Sequence, residues 1–212
     1  MNIALIGATG YVGSKLLAEA LARGHRVTAL VQHPEKLQAH ANLTGVAVKV
    51  QDTAALAAQL KGHDAVISAF SGHAQSDVLG YFVDGFKSIV AATKSAGVAR
   101  LLVVGGAGSL EVAPGVQLVD TPEFPEQWKA SALGAREALN LLRAETALDW
   151  TLLSPSAMLQ PGERTGRFRL GGDQLIVDAD GNSVISVEDY AVAMIDELET
   201  PKHSRARFTV GY

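Results

Sequence analysis

Three glycines at positions 7, 10 and 13, in the stretch IALIGATGYVGSKLLAEAL, stand between an apolar run and an alanine- and leucine-rich helical pattern. Residues 3–6 carry no polar side chain, so they read as a strand covered on both faces. A chain that passes from such a strand directly into a helix must fold the helix back over the sheet. Glycine is the residue that lets the two backbones approach. The same grammar recurs downstream, with strands predicted at residues 3–6, 26–31, 47–50, 65–68, 101–104 and 150–153. Helices are predicted between them at 12–23, 54–60, 77–96 and 126–145, and Gly97 follows the third as a normal helix stop. Strand–helix alternation of this kind predicts an α/β fold, a doubly wound parallel sheet with right-handed crossovers.

Past residue 154 the rhythm changes. SPSAMLQPGERTGRFRLGGDQLIVDADGNSVIS is rich in glycine and charge, with short strand-like pieces. SVEDYAVAMIDELE then resumes a helix, with Ser186 as N-cap and acids in the first turn. The chain reads as one domain over 1–212, with residues 155–212 forming a small C-terminal substrate lobe built on the main sheet.

Composition narrows the class. With 48% hydrophobic and 19% charged residues the chain is too apolar for disorder, and its formal net charge of -4 argues against nucleic acid as a partner. The absence of cysteine rules out disulfides and thiolate chemistry and suits a reducing cytoplasm. No run reaches the roughly 18 apolar residues of a membrane span. The six histidines show no metal-ligand spacing, so no metal site is expected. A monomer or homodimer acting on a small molecule is the expected form.

The glycine spacing has a specific chemical use. Gly7 allows a tight turn, Gly10 lets a pyrophosphate reach the backbone, and Gly13 lets the helix pack on the strand. Free N–H groups of the first helical turn then face the phosphates, aided by the helix dipole. Gly7, Thr9, Gly10, Tyr11, Val12 and Gly13 are therefore candidate dinucleotide-binding residues. An acid at the end of the second strand would select NAD, but TALVQHPEKL has none there. Gln32 and His33 can hydrogen-bond a ribose or a phosphate, with Lys36 adding charge, or belong to a solvated loop. NAD and NADP both stay open. Ser68, Ala69 and Phe70 end the fourth strand, where ligands collect in such sheets, though Phe70 equally suits a core.

GATGYVG, VTALVQHPEKL, GHDAVISAFS, LLVVGGAGSL, DWTLLSPSAMLQPGERTGRFRLGGDQL and ISVEDYAVAMIDELETPKH together resemble the atypical short-chain dehydrogenase/reductases. More narrowly, they resemble the NADH-flavin reductases, relatives of biliverdin reductase B and the NmrA-like proteins. The resemblance runs nearly end to end and implies a Rossmann-like core with a substrate lobe. It implies that Ser109 occupies the place of a catalytic Ser or Thr, although a helix-cap serine explains it as well. It puts Asp52 near the adenine, where a plain helix cap also fits, and Pro155 beside the nicotinamide amide. Relatives often carry arginine where this sequence has Gln32.

The usual acid of short-chain dehydrogenases, a Tyr-x-x-x-Lys pair after the fifth strand, is missing from FPEQWKASALGAREALNLL. Trp128 there can stack on a flat ligand or pack the lobe. Arg164, Arg167 and Arg169 can meet an anionic substrate such as FMN or FAD, or form a solvated turn. The expected activity is NAD(P)H-dependent hydride transfer to a flavin or quinone-like acceptor, because the cofactors carry that chemistry. The alternatives are an NmrA-like regulatory module that senses cofactor redox state, and a nucleotide-sugar epimerase or dehydratase.

Overall fold

The computed structural model describes residues 1–73 and 75–212. The strands are β1 (Asn2–Ile6), β2 (Arg26–Val31), β3 (Leu43–Ala47), β4 (Ala65–Ser68), β5 (Arg100–Val104), β6 (Glu111–Ala113), β7 (Val116–Gln117), β8 (Asp149–Ser154), β9 (Met158–Gln160), β10 (Arg169–Gly171), β11 (Val184–Ser186) and β12 (Ala206–Gly211). The helices are α1 (Tyr11–Ala22), α2 (Thr53–Leu60), α3 (Val78–Ser95), α4 (Glu126–Arg143) and α5 (Val187–Glu199).

Eight strands form the main sheet in the order β10-β12-β8-β5-β4-β1-β2-β3, all parallel except β10, which pairs antiparallel with β12. The chain steps outward from β1 to β3, then returns to β4 on the other side of β1. The C-terminal ends of β1 and β4 therefore flank the point where strand order reverses, the place where such sheets leave a crevice. One face of the sheet packs against α1 and α5, through Leu16, Ala20, Tyr190 and Met194. The other packs against α2, α3 and α4, through Leu56, Phe86, Ile89 and Leu142. The central strands β4 and β5 are almost wholly buried, which is why their sequences carry no alternation.

Two strand readings are corrected. The third strand lies at Leu43–Ala47, not at 47–50, because Leu43 to Ala47 are the residues in register with Val27 to Val31. It is an edge strand with no fully buried residue, and Thr44 and Gly45 interrupt its apolar run, so it left no strong signal. Of the AVKV segment, Ala47 closes β3, residues 48–50 run past the end of β2, and Val50 turns into the core. The sequence reading also lacked β12, which pairs with β8 and gives Phe208 and Val210 to the core. Its alternation is masked by Arg207 and Thr209, which are themselves buried.

The segment 155–212 thus supplies β12 and β10 to the sheet and α5 to one of its faces. Its irregular part is tied down by one carboxylate. Asp189, fully buried in the first turn of α5, accepts hydrogen bonds from the Thr165 and Gly166 backbone N–H groups at 2.8 Å. The Thr165 hydroxyl and the Tyr212 hydroxyl also donate to it.

A Cβ on Gly13 would collide with the carbonyl oxygen of Gly7, so α1 sits directly on the turn that follows β1. Overpacking of this kind costs about 1–3 kcal/mol. Gly13→Ala is expected to lower stability by at least that amount in urea unfolding. Gly172→Ala, whose added Cβ meets nothing within 4 Å, is expected to stay within about 0.5 kcal/mol of wild type.

Candidate nucleotide-binding site

The turn after β1 touches the turn after β4. A Cβ on Gly7 would lie 2.6 Å from the Ala69 carbonyl oxygen, and Gly7 has a φ of +80°, in the left-handed region. Its N–H donates to the Leu30 carbonyl at 3.1 Å, and the Ala69 N–H donates to the Ile6 carbonyl at 2.9 Å. The ends of β1, β2 and β4 are thereby joined at the crevice.

Gly10 differs from the other two glycines. It is the N-cap of α1 with φ -77°, a conformation open to any residue, and its missing Cβ would meet only the Gly7 carbonyl oxygen, at 3.3 Å. The fold presses less on this position than on Gly7 or Gly13, since only the Gly7 carbonyl would have to give, by a few tenths of an ångström. A ligand approaching the exposed rim formed by Thr9, Gly10 and Tyr11 adds its own demand for glycine. The N–H groups of Tyr11, Val12 and Gly13 have no acceptor among the described residues, and the first turn of α1 carries no acid. Three unpaired donors at a helix N-terminus, with a bare glycine in front of them, suit a pyrophosphate.

Gln32 directly follows β2 and is exposed, where the ribose of a nucleotide on this loop would lie. His33 is exposed and paired with Glu35 at 3.0 Å, so a carboxylate stands beside this rim together with Lys36. The Asp52 carboxylate caps α2, accepting from the Ala55 N–H at 3.0 Å. Ser68 is buried at the end of β4 and Pro155 at the end of β8. Phe70 belongs to an aromatic cluster, its ring 5.5 Å from Tyr81 and 5.9 Å from Phe82, and it rests over Gly85.

Ser109 sits in the short 3-10 turn after β5 and is only 3% exposed. Its hydroxyl accepts from Nη1 of Arg207, at 3.3 Å, and the same guanidinium nitrogen reaches the Ser154 hydroxyl. Arg207 also grips Asp173 through Nε at 2.7 Å. Burial pulls the Arg207 pKa down, opposed by the Asp173 carboxylate. Arginine has no acceptor atom, so Ser109 must accept from it and keeps its own proton for another partner. Arg207 escaped the sequence reading because a charged residue inside a strand looked like a break in the pattern.

The arginines of the GERTGRFR segment are not gathered at the crevice. Arg164 forms a two-toothed pair with Glu19 of α1, both bonds 2.7 Å, and these bonds to Arg164 hold the Glu19 pKa below its usual value despite desolvation. Arg169 donates to backbone carbonyls of Val177 and Tyr212. A cleft of about 240 Å³ between Phe168, Leu170, His203 and Phe208 lies at the C-terminal end of α5, on the opposite edge of the sheet from Gly10. It is not part of this site.

Two of the four tyrosines, Tyr190 and Tyr212, spend their hydroxyls on structural hydrogen bonds. Tyr190 is fully buried, donates to the Leu153 carbonyl at 2.7 Å, and burial pushes its pKa up. Tyr11 and Lys15 do have the four-residue spacing, a signal the sequence reading missed. Lys15, however, pairs with Glu188 at 3.0 Å, and burial and Glu188 raise the Tyr11 pKa more than Lys15 lowers it. Among the described residues no group of three or more His, Asp or Glu could hold a metal ion, and no helix is long and apolar enough to cross a membrane.

A family model for NAD(P)H-binding proteins matches residues 7–201, from the first glycine to the end of α5. The chain belongs to this NAD(P)H-binding family. Three solved structures place it further. A Burkholderia pseudomallei protein described as a candidate exported protein is 48% identical, with all of both chains covered and a TM-score of 0.91. A candidate epimerase of Bacteroides thetaiotaomicron is 49% identical over all of this chain and 96% of that one, with a TM-score of 0.94. A candidate NADH-flavin reductase of Streptococcus pneumoniae is 36% identical over 100% and 99% of the two chains, with a TM-score of 0.89. The Rossmann-like parallel sheet is common to this chain and these structures.

Because a Cβ at position 10 crowds only one backbone oxygen, Gly10→Val tests binding at a small expected cost in folding. Circular dichroism and the unfolding midpoint are expected to stay near wild type. Calorimetric titration is expected to show dinucleotide affinity at least tenfold weaker, a loss of about 1.4 kcal/mol. Wild-type affinity in the folded variant would remove the phosphate from this loop.

Proposed function

We propose that this family member is an NAD(P)H-dependent reductase of planar flavin or quinone-like acceptors, working in the cytoplasm. The observation that carries the reading is that α4 holds no tyrosine to make the Tyr-x-x-x-Lys pair, beside a glycine turn whose helix starts with N–H groups unpaired among the described residues. A carbonyl reductase or sugar epimerase needs a group on the enzyme that moves a proton in step with hydride. A flavin or quinone does not. When bound, the reduced dinucleotide supplies a hydride, which is two electrons and a proton, and the acceptor takes a second proton from water.

The chain's own residues then have positioning work. The first turn of α1 holds the pyrophosphate, and Gln32 meets the ribose without a charge of its own. Ser109, fixed by Arg207, directs its proton toward the nicotinamide or the acceptor. Neither cofactor is strongly selected in this reading, since Lys36 and Glu35 offer opposite charges at the same rim.

The deciding experiment is anaerobic oxidation of NADH and NADPH with FMN, FAD and a naphthoquinone as acceptors. Turnover with at least one of them is expected. Binding of dinucleotide without turnover of any acceptor would overturn the reductase reading and favour a redox-sensing module. Ser109→Ala is expected to slow single-turnover reduction by about two- to twelvefold, the worth of one neutral hydrogen bond. A loss above a hundredfold at unchanged cofactor affinity would make Ser109 a proton donor. Gln32→Arg is expected to shift the ratio of NADPH to NADH affinity by roughly ten- to a hundredfold toward NADPH, as a charge-assisted hydrogen bond does.

A further inference from the structure

The protein has two tryptophans in opposite situations. Trp150, in β8, is 3% exposed and belongs to the core. Trp128, in the first turn of α4, is 52% exposed. The ring near it is that of His73, which stands edge-on with centroids 6.2 Å apart. His73 comes from the segment between β4 and α3, so two separate parts of the chain bring these rings together.

Their place in the fold is fixed by packing. Gly106 and Gly108, in the turn that carries Ser109, lie under Ala135 and Ala132 of α4, with added Cβ atoms 2.9 and 2.8 Å from those methyl groups. Trp128 is four residues before Ala132 and so lies on the same face of α4, one turn nearer the helix N-terminus. Because α4 leads into the parallel strand β8, its N-terminus stands at the C-terminal edge of the sheet, the edge that carries the glycine loop. The segment with His73 leaves from the same edge, directly after Phe70. An open indole therefore stands beyond Ser109, above the ends of β4 and β5.

We propose that Trp128, steadied by the edge of His73, is the stacking wall for the planar acceptor. The inference rests on the reductase reading and extends it to a named subsite. A flat conjugated ring is the ligand that this geometry suits. The indole offers a π face but no charge, and offset stacking or edge contacts at 4.5–7 Å are how such rings pair. An acceptor recognised by its ring plane explains how the site can do without the arginines of the GERTGRFR segment, since Arg164 and Arg169 are committed elsewhere. Trp128 positions the acceptor and takes no part in the proton or electron count.

Two measurements on the full-length protein test this. The first is equilibrium binding of FMN and of a naphthoquinone in the presence of oxidised dinucleotide, by calorimetry, which needs no turnover. Trp128→Ala is expected to weaken acceptor binding roughly five- to 150-fold, the effect of removing one aromatic stacking partner. Trp128→Phe is expected to stay within about threefold of wild type, and dinucleotide affinity is expected to be unchanged in both. The second is the emission of Trp150→Phe, whose remaining indole is Trp128. It is expected to be solvent-like without ligand at all protein concentrations, and quenched by either acceptor.

Equal acceptor affinity in wild type and Trp128→Ala would overturn the proposal while leaving any observed reductase activity intact. Absence of binding for both acceptors would overturn it too. A concentration-dependent blue shift without ligand would do the same, because a second copy of the chain would then cover the indole. Loss of binding in Trp128→Ala with no turnover in wild type would keep the aromatic subsite and sink the reductase reading.

Discussion

The architecture depends on backbone meeting backbone where β1 gives way to α1. Gly13 lies against the Gly7 carbonyl, and Gly7 against the Ala69 carbonyl, with no side chain between them. This closeness lets the turn after β1 stay short, sets α1 low on the sheet and brings the ends of β1 and β4 together. The donors left over at the start of α1 then open into the crevice made where strand order reverses. Open N–H donors at the crevice are thus a by-product of the packing that closes the fold.

The second anchor is the C-terminal segment, held by the apolar faces of α5 and β12 and by two buried charges. Asp189 gathers the loop at Thr165 and Gly166 and the last residue, Tyr212, onto the start of α5. Arg207 extends from β12 to Ser109, Ser154 and Asp173, linking three separate stretches. Unpaired, either charge would be costly in the interior, so each enforces one arrangement of the groups around it. The rim near Ser109 owes its shape to this strand at the end of the chain.

These constraints leave a site with donors and ring faces in place of acids. The serine beside β5 accepts from an arginine and keeps its own proton to donate, Tyr190 and Tyr212 are engaged in structure, and Arg164 and Arg169 hold their segment onto α1 and the C-terminus. Such an environment suits chemistry in which two ligands exchange hydride and the protein supplies order. Within the NAD(P)H-binding family, relatives of similar structure are described as candidates for flavin reduction and for epimerisation.

The sequence by itself determined the layered α/β sheet, its central strands and the tight glycine turn between β1 and α1. Those features depend on local apolar runs and on glycine spacing, which act over a few residues. Strands β2 and β4 fall where the apolar runs predicted them, and the glycines at 7, 10 and 13 play three separate roles. Asp52 caps its helix, as its position before TAALAAQL implied. Tertiary structure alone decided the rest. The edge strand β3 is fixed by its register with β2, and β12 by burial that includes an arginine. Ser109 acquires its state from Arg207, 98 residues away, and Trp128 its neighbour from a loop 55 residues earlier. Partners at that separation leave no periodic trace in the chain, because only the folded sheet brings them into contact.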